Sequence, residues 1–312
     1  MIRSLCVSLA VICFVGCKSG PTVNPGPTFA VFPAAPGERV QLGFSPPIGK
    51  TLTEHSVTDR RDTPYVNGKA GSEVAATVEL TLASSWTADG SSFALSQTVK
   101  SLKATQGGKA VDDPLAQLIT HFPVKVGIAS DGTFLKLLNP DDARKAVSES
   151  FTNPDEAAEV MTFFTPDAIE DQARIEWEQK YGDLFGKPLD PAKPSYTVDG
   201  TAIGETPVLY VIERSYVGTA KTPYGEAVVL DLKCVQKPEE AKDRAAYEEL
   251  IAARGKPALE PTASCEGRQV IARSPFVPVS LRLVVKSKPK DAAGAIVGES
   301  VLTRATEAEA LK

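Results

Sequence analysis

The sequence predicts an α+β fold, a twisted and mainly antiparallel β-sheet with a central three-helix excursion and one later helix. Three observations carry this expectation. Apolar residues alternate with period two over much of the chain, which marks antiparallel strands with one buried face. Asp-Gly pairs at 89–90, 131–132 and 199–200 punctuate the alternation, and that dipeptide favours the positive backbone angles of tight hairpins. Between Asn139 and Gly186 the period turns helical.

The first element stands apart from this fold. Arg3 precedes an apolar run from Leu5 to Val15 that would rise only ~16 Å as a helix, about half of a bilayer's hydrocarbon core, so residues 1–16 read as a signal peptide rather than a membrane span. The run stops at Phe14-Val15-Gly16-Cys17. This end resembles the lipobox of bacterial lipoproteins, in which a small residue precedes a cysteine that takes the acyl chains and becomes the mature N-terminus. Gly16 and Cys17 fit; Phe14 stands where the family usually has Leu, which keeps ordinary secretory cleavage nearby as the alternative. The resemblance implies cleavage between Gly16 and Cys17, diacylation of Cys17, and a membrane anchor that is effectively permanent. Lys18 is not the aspartate that holds enteric lipoproteins at the inner membrane. By analogy the place is the cell envelope, with the outer membrane favoured over the inner and a Gram-positive plasma membrane as the alternative. Residues 17–36 then form a lipidated tether, in which Pro21, Pro25, Pro27, Pro33 and Pro36 keep the chain extended over a reach approaching ~60 Å.

The body divides into a first β half with the helical segment, 37–186, a proline-rich linker, 187–195, and a second β half, 196–312, which together form one domain or two closely packed halves. Val74, Ala76, Val78, Leu80 and Leu82 make the clearest alternating strand. Asp89-Gly90 turns it into a return strand from Phe93 to Leu102, and Asp131-Gly132 joins Val124–Ile128 to Phe134–Leu137. Three helices are expected where Asn139-Pro140, Asn153-Pro154 and Thr165-Pro166 place a capping side chain before a proline and acidic residues follow. The third carries Ile169, Ala173, Trp177, Tyr181 and Leu184 along one face, a core stripe. Pro188, Pro191 and Pro194 run the linker extended; Asp199-Gly200 supplies a third turn, and strands follow at 208–217 and 227–235. A charge-laced surface helix is expected over 238–254, then strands at 268–273, 279–286 and 296–304, with 307–312 frayed. The helices are expected on one face of the sheet.

Composition removes several classes of function. The formal net charge is −5, one unit more acidic once Arg3 leaves with the signal, and no basic stretch interleaved with aromatics appears, so nucleic acid is not an expected partner. His55 and His121 are the only histidines, and neither accompanies a G-x-S-x-G elbow or an H-E-x-x-H pair. Phosphate-binding glycine loops are missing too. No catalytic residue, metal ligand or cofactor is assigned. Paired carboxylates, with Glu176, Glu178 and Asp183 on the aromatic helix, keep a carboxylate-based hydrolase as the weakest alternative. Cys234 and Cys265 are the only cysteines beyond the anchor; an oxidising compartment favours pairing them, and two separately buried thiols are the alternative.

The leading expectation is a membrane-anchored, non-enzymatic envelope lipoprotein that binds or spaces an envelope protein. The alternative is a carrier of an apolar ligand, a lipid or acyl chain, between sheet and helices. Phe151, Met161, Phe163, Phe164, Trp177 and Phe185 would line its pocket, though a plain sheet-on-helix core needs the same residues and is favoured. In element order the chain is similar to periplasmic lipoprotein carriers with an unclosed barrel, and to uncharacterised bacterial lipoproteins with Asp-Gly hairpins.

Overall fold

The computed structural model describes residues 28–66, 68–111, 120, 122–151, 153, 155, 158, 161–162, 165–182, 184–203, 206–237, 241–252, 263–290 and 294–312. The signal peptide, Gly16, Cys17, His121, Phe163, Phe164, Asp183 and most of the helix expected after Asn153 lie outside the described residues.

The strands are β1 (Val31–Pro33), β2 (Val40–Gln41), β3 (Thr51–Val66), β4 (Lys69–Ala70), β5 (Val74–Asp89), β6 (Ser92–Gln106), β7 (Lys109–Ala110), β8 (Val124–Ala129), β9 (Phe134–Leu137), β10 (Pro188–Leu189), β11 (Ser195–Ile203), β12 (Thr206–Thr222), β13 (Gly225–Val235), β14 (Ala263–Arg273), β15 (Phe276–Ser287) and β16 (Gly298–Leu311). The helices with described bounds are α1 (Pro140–Ser150), α2 (Pro166–Tyr181) and α3 (Ala241–Ala252). One 14-stranded antiparallel sheet runs β1-β12-β13-β14-β15-β16-β3-β5-β6-β8-β9, with β11 on β12, β4 on β3 and β7 on β6; β2 and β10 make a separate ribbon. Because β16 pairs along nearly all of β3, strands from both halves of the sequence belong to one sheet.

The sheet is curled, and two contacts demonstrate it. Arg304 on β16 lies 3.4 Å from Asp199 on β11, although β12 to β15 separate those strands in the sheet. Helix α2 packs against both β9 and β11, strands at opposite ends of the order. The sheet therefore wraps around α2, and the face bearing Trp86, Leu230 and Ile271 is concave. Along β13 the residues Ala227, Val228, Val229 and Leu230 are all buried, since both faces are covered here. Val228 and Leu230 meet the α2 aromatic cluster, while Ala227 and Val229 join a second cluster with Phe29 and Val31 packed against it.

Two of the Asp-Gly pairs are turns as expected. Gly90 and Gly132 adopt φ of 60° and 90°, and the Thr133 amide donates to Asp131 Oδ1 at 2.9 Å. The third is not a turn: Asp199 and Gly200 lie inside β11, opposite Tyr210 and Leu209. Gly200 stands there because a β-carbon would meet Leu209 Cδ2 at 2.8 Å, and Asp199 because it pairs with Arg304. The C-terminus is not frayed either. Leu311 lies opposite Leu52, and Lys312 and Thr51 exchange backbone hydrogen bonds of 2.7 and 3.0 Å.

Thr165 caps α2 as expected, accepting from the Ala168 amide at 3.2 Å. Asn139 does not cap α1; its Oδ1 accepts from the Lys125 amide and its Nδ2 donates to Pro123 O, which fastens the helix start to β8. The helices do not share one face. Helix α3 sits on the convex side, where Ile251 and Tyr247 pack with Val198, Val211 and Val235.

The end of the proline-rich stretch lies on the sheet, with Val31 opposite Ala220. Gly218, at a bulge in β12 with φ of 149°, admits this strand: a β-carbon there would collide with Phe32 O and meet the Ala34 nitrogen at 3.0 Å. Gly218→Ala is expected to cost about 2–3 kcal/mol and to expose β1 to protease. Limited proteolysis with a urea titration checks this, and unchanged cutting around Phe32 would refute it.

Candidate functional site

Helix α2 organises the concave face. Trp177 (7% exposed) and Tyr181 point into it, and Trp177 Nε1 donates to Gly132 O at 2.9 Å. Phe44, Trp86, Phe93, Trp177, Tyr181, Phe185 and Phe276 form one packed aromatic cluster with ring centroids 4.8 to 6.5 Å apart. Phe44, at its centre, precedes β3 in an irregular segment, so no periodicity marked it. The two proposed pocket residues Trp177 and Phe185 belong to this cluster. Phe151 and Met161 belong to a smaller one with Phe122 and Ala146; Val124 and Ile169 pack against both clusters.

Beyond the aromatics the concave face turns polar. Arg214 on β12 is 5% exposed and donates to Gly182 O at 3.1 Å and to Gln179 O, so a cation meets the carbonyl end of α2. Gln269 on β14 donates to Lys180 O at 3.3 Å, and the Leu137 amide of β9 donates to Glu170 Oε2 at 2.8 Å. Glu54 on β3 is 6% exposed, beside Lys180 and Tyr181. Burial raises its carboxyl above the ordinary 4.5, and the Lys180 ammonium opposes this only in part. The native state thus holds the proton longer than the unfolded chain. The stability this contributes is full below about pH 4.5 and is lost as pH rises through the folded value. Glu54→Gln is accordingly expected to raise the melting temperature at about pH 7 and to flatten its fall as pH rises above about 4.5. Parallel melting curves for the two proteins would refute the assignment.

A second feature of the concave face is apolar and open. Val78, Leu80 and Leu82 of β5 share the side of Trp86, and across the ladder Leu80 faces Leu102 and Leu82 faces Val99 of β6. All five are half-buried, unlike the aromatic cluster. From Val74 to Leu82 this strip runs about 26 Å. On the convex side a cleft of about 540 Å³ lies between Thr28, Phe29 and Val31 and strands β13 to β16, with Asp231, Lys233, Glu266, Arg268, Arg282 and Glu307 in its wall.

Of the carboxylates on α2, Glu176 accepts from Gln172 Nε2 at 2.8 Å and Glu178 pairs with Arg174 at 3.4 Å. His55 lies in β3, its Nδ1 3.9 Å from Glu309. Among the described residues no group of three or more His, Cys, Asp or Glu converges as metal ligands would. Cys234 and Cys265 are joined in a disulfide across β13 and β14, with Cα atoms 4.9 Å apart. This bond points to an extracytoplasmic, oxidising compartment.

No family model matches the chain, and no curated protein matches it. Among solved structures, one of lipovitellin described for its lipid–protein interactions matches with a TM-score of 0.43 and 11% identity over 85% of this chain and 25% of that one. The chain thus spans a quarter of the length of that relative. DynF from the dynemicin biosynthesis pathway of Micromonospora chersina matches with a TM-score of 0.20 and 9% identity over 93% and 92% of the two chains. An exported protein with a YmcC-like fold from Bacteroides fragilis matches with a TM-score of 0.20 and 11% identity over 88% and 100%. These similarities are distant.

Proposed function

We propose that this chain is a non-enzymatic, lipid-anchored envelope protein that holds an apolar, chain-like ligand on the concave face of its sheet. The half-buried strip of Val78, Leu80, Leu82, Val99 and Leu102 carries this reading. The pocket lies one step along the sheet from the residues proposed on sequence grounds, because Trp177 and Phe185 are consumed in packing α2. An extended acyl chain fits a strip of that length and gains about 25 cal/mol for each Å² of apolar surface removed from water. The anchor at Cys17 and the outer-membrane destination remain part of the proposal, supported by the leader sequence.

Native mass spectrometry of the whole processed protein, held in an amphipathic polymer and compared with the denatured chain, tests the ligand. A stoichiometric acyl lipid that leaves on unfolding is expected, and Leu80→Lys with Leu82→Lys should abolish binding of added palmitate while leaving the unfolding midpoint nearly unchanged. A bare mass with no palmitate binding would overturn the reading. For the anchor, Cys17→Ala should prevent processing; equal processing and equal membrane retention would overturn that part.

The convex cleft favours a second reading, docking of an extended segment from another envelope protein along its six charged side chains. Photocrosslinking from position 282 in intact cells would then trap one discrete partner, and no adduct there would refute it.

A further inference from the structure

The concave strip ends in polar groups that the fold itself leaves unused. Directly opposed positions on three adjacent strands carry Ser287 of β15, Ser300 of β16 and Asp62 of β3, so their side chains share the concave face; Val74, at the head of the apolar strip, lies opposite Asp62. Ser287 and Ser300 are each 2% exposed and Tyr210 is 1% exposed. Their three hydroxyls, with Asp62 Oδ1, are buried without a hydrogen-bond partner among the described residues. An unpaired buried polar group costs about 1–3 kcal/mol, and several together in one region require a reason. The Tyr210 hydroxyl feels Asp199, Arg304 and Arg60, which places it over the same end of the face.

The charges here are matched within the protein. Arg60 pairs with Asp62 at 2.7 Å and Arg304 with Asp199 at 3.4 Å, so two cations meet two anions and no surplus positive charge remains for a phosphate or carboxylate. The unused groups are three hydroxyls, each able to donate and accept, one carboxylate oxygen that accepts, and, opposite Ala76 on the same face, the Gln106 amide nitrogen that donates. Their complement is an uncharged group bearing several hydroxyls. Access runs from the side of the strip, where the Arg304 and Asp62 side chains keep 33% and 23% of their exposure.

We propose that this polar end binds the neutral, hydroxyl-bearing head of a single-chain glycerolipid whose tail lies along Val78, Leu80 and Leu82. The proposal rests on the apolar-ligand reading and adds the chemistry of the head. Ser287 and Ser300 exchange hydrogen bonds with the glycerol hydroxyls, and Asp62 Oδ1 accepts one more; binding then satisfies groups that the free protein keeps dry.

Equilibrium binding of radiolabelled monopalmitoylglycerol and of palmitate to the whole anchored chain, in the same polymer with the polymer alone as background, tests it. Monopalmitoylglycerol is expected to bind the more tightly. Ser287→Ala with Ser300→Ala should weaken it about tenfold, a change of about 1.4 kcal/mol, and leave palmitate unaffected. Tyr210→Phe, which removes the third unpaired hydroxyl, is expected to give the same pattern. None of these variants should lower the unfolding midpoint, because removing an unpaired buried hydroxyl is neutral or stabilising. Equal binding of both lipids, untouched by the serine variants, would mean that ordered water alone fills the polar end, and would overturn the head site while the strip stands. Binding of neither lipid would overturn both.

Discussion

Trp177→Ala is expected to destabilise the protein by about 4 kcal/mol, the largest effect of any single substitution considered for this chain. The side chain is 7% exposed and touches Phe44, Trp86 and Tyr181 at centroid distances of 5.8, 6.0 and 4.8 Å. Truncation removes that packing and leaves a cavity between α2 and the sheet, which accounts for most of the loss. The remainder is the hydrogen bond to Gly132 O, whose carbonyl would be left unpaired. Trp177→Phe separates the two terms, because it keeps much of the ring and drops the donor; a cost of about 1–2 kcal/mol is expected. Urea midpoints at constant m-value measure both. A loss below about 1 kcal/mol for Trp177→Ala would show that α2 is a loosely held lid. The concave face would then open by helix release and not by diffusion along the strip.

Sequence pattern revealed which residues share a face but not which faces are covered. The period-two strand at Val74–Leu82, the hairpin turns at Asp89-Gly90 and Asp131-Gly132, and the helix starts at Pro140 and Pro166 were all legible, because each depends on local backbone preference. The position of α2 inside the curl was not, since the stripe of Ile169, Ala173, Trp177 and Tyr181 is equally suited to a flat sheet. The same limit hid the polar site residues. Tyr210, Ile212, Arg214 and Tyr216 alternate on one face of β12, and an arginine in such a row reads as solvent-facing until the helix carbonyls that it meets are known. Asp199-Gly200 misled for a related reason: a buried acid beside a crowded glycine has the composition of a turn. Glu54 carries no sequence signal of burial and Arg304 none of its pairing, because their partners come from α2 and β11, far away along the chain.

Replacing both Cys234 and Cys265 by alanine is expected to cost about 3–4 kcal/mol, close to the effect of Trp177→Ala. The bridge spans 31 residues in sequence and encloses α3 with its connections to β13 and β14. Closing a loop of that length removes conformations from the unfolded chain, and the chain-entropy account assigns that range to it. The folded state gains little more, because Lys233 and Glu266 already pair the two strands next to the bridge. The loss should therefore appear in the unfolded state's freedom and leave the sheet register intact. Substituting both positions avoids a lone thiol beside Leu232 and Leu283, which pack in the same cluster. Urea titrations of the double variant and of the native protein with and without dithiothreitol check the account: the reduced native protein and the variant should share one midpoint, well below that of the oxidised protein. If reductant leaves the native midpoint unchanged and the variant matches it, the bridge contributes nothing to stability. A reduced midpoint near the variant's would instead tie the folded population of this sheet to the redox state of its compartment, and a chain kept among reducing thiols would forfeit that margin.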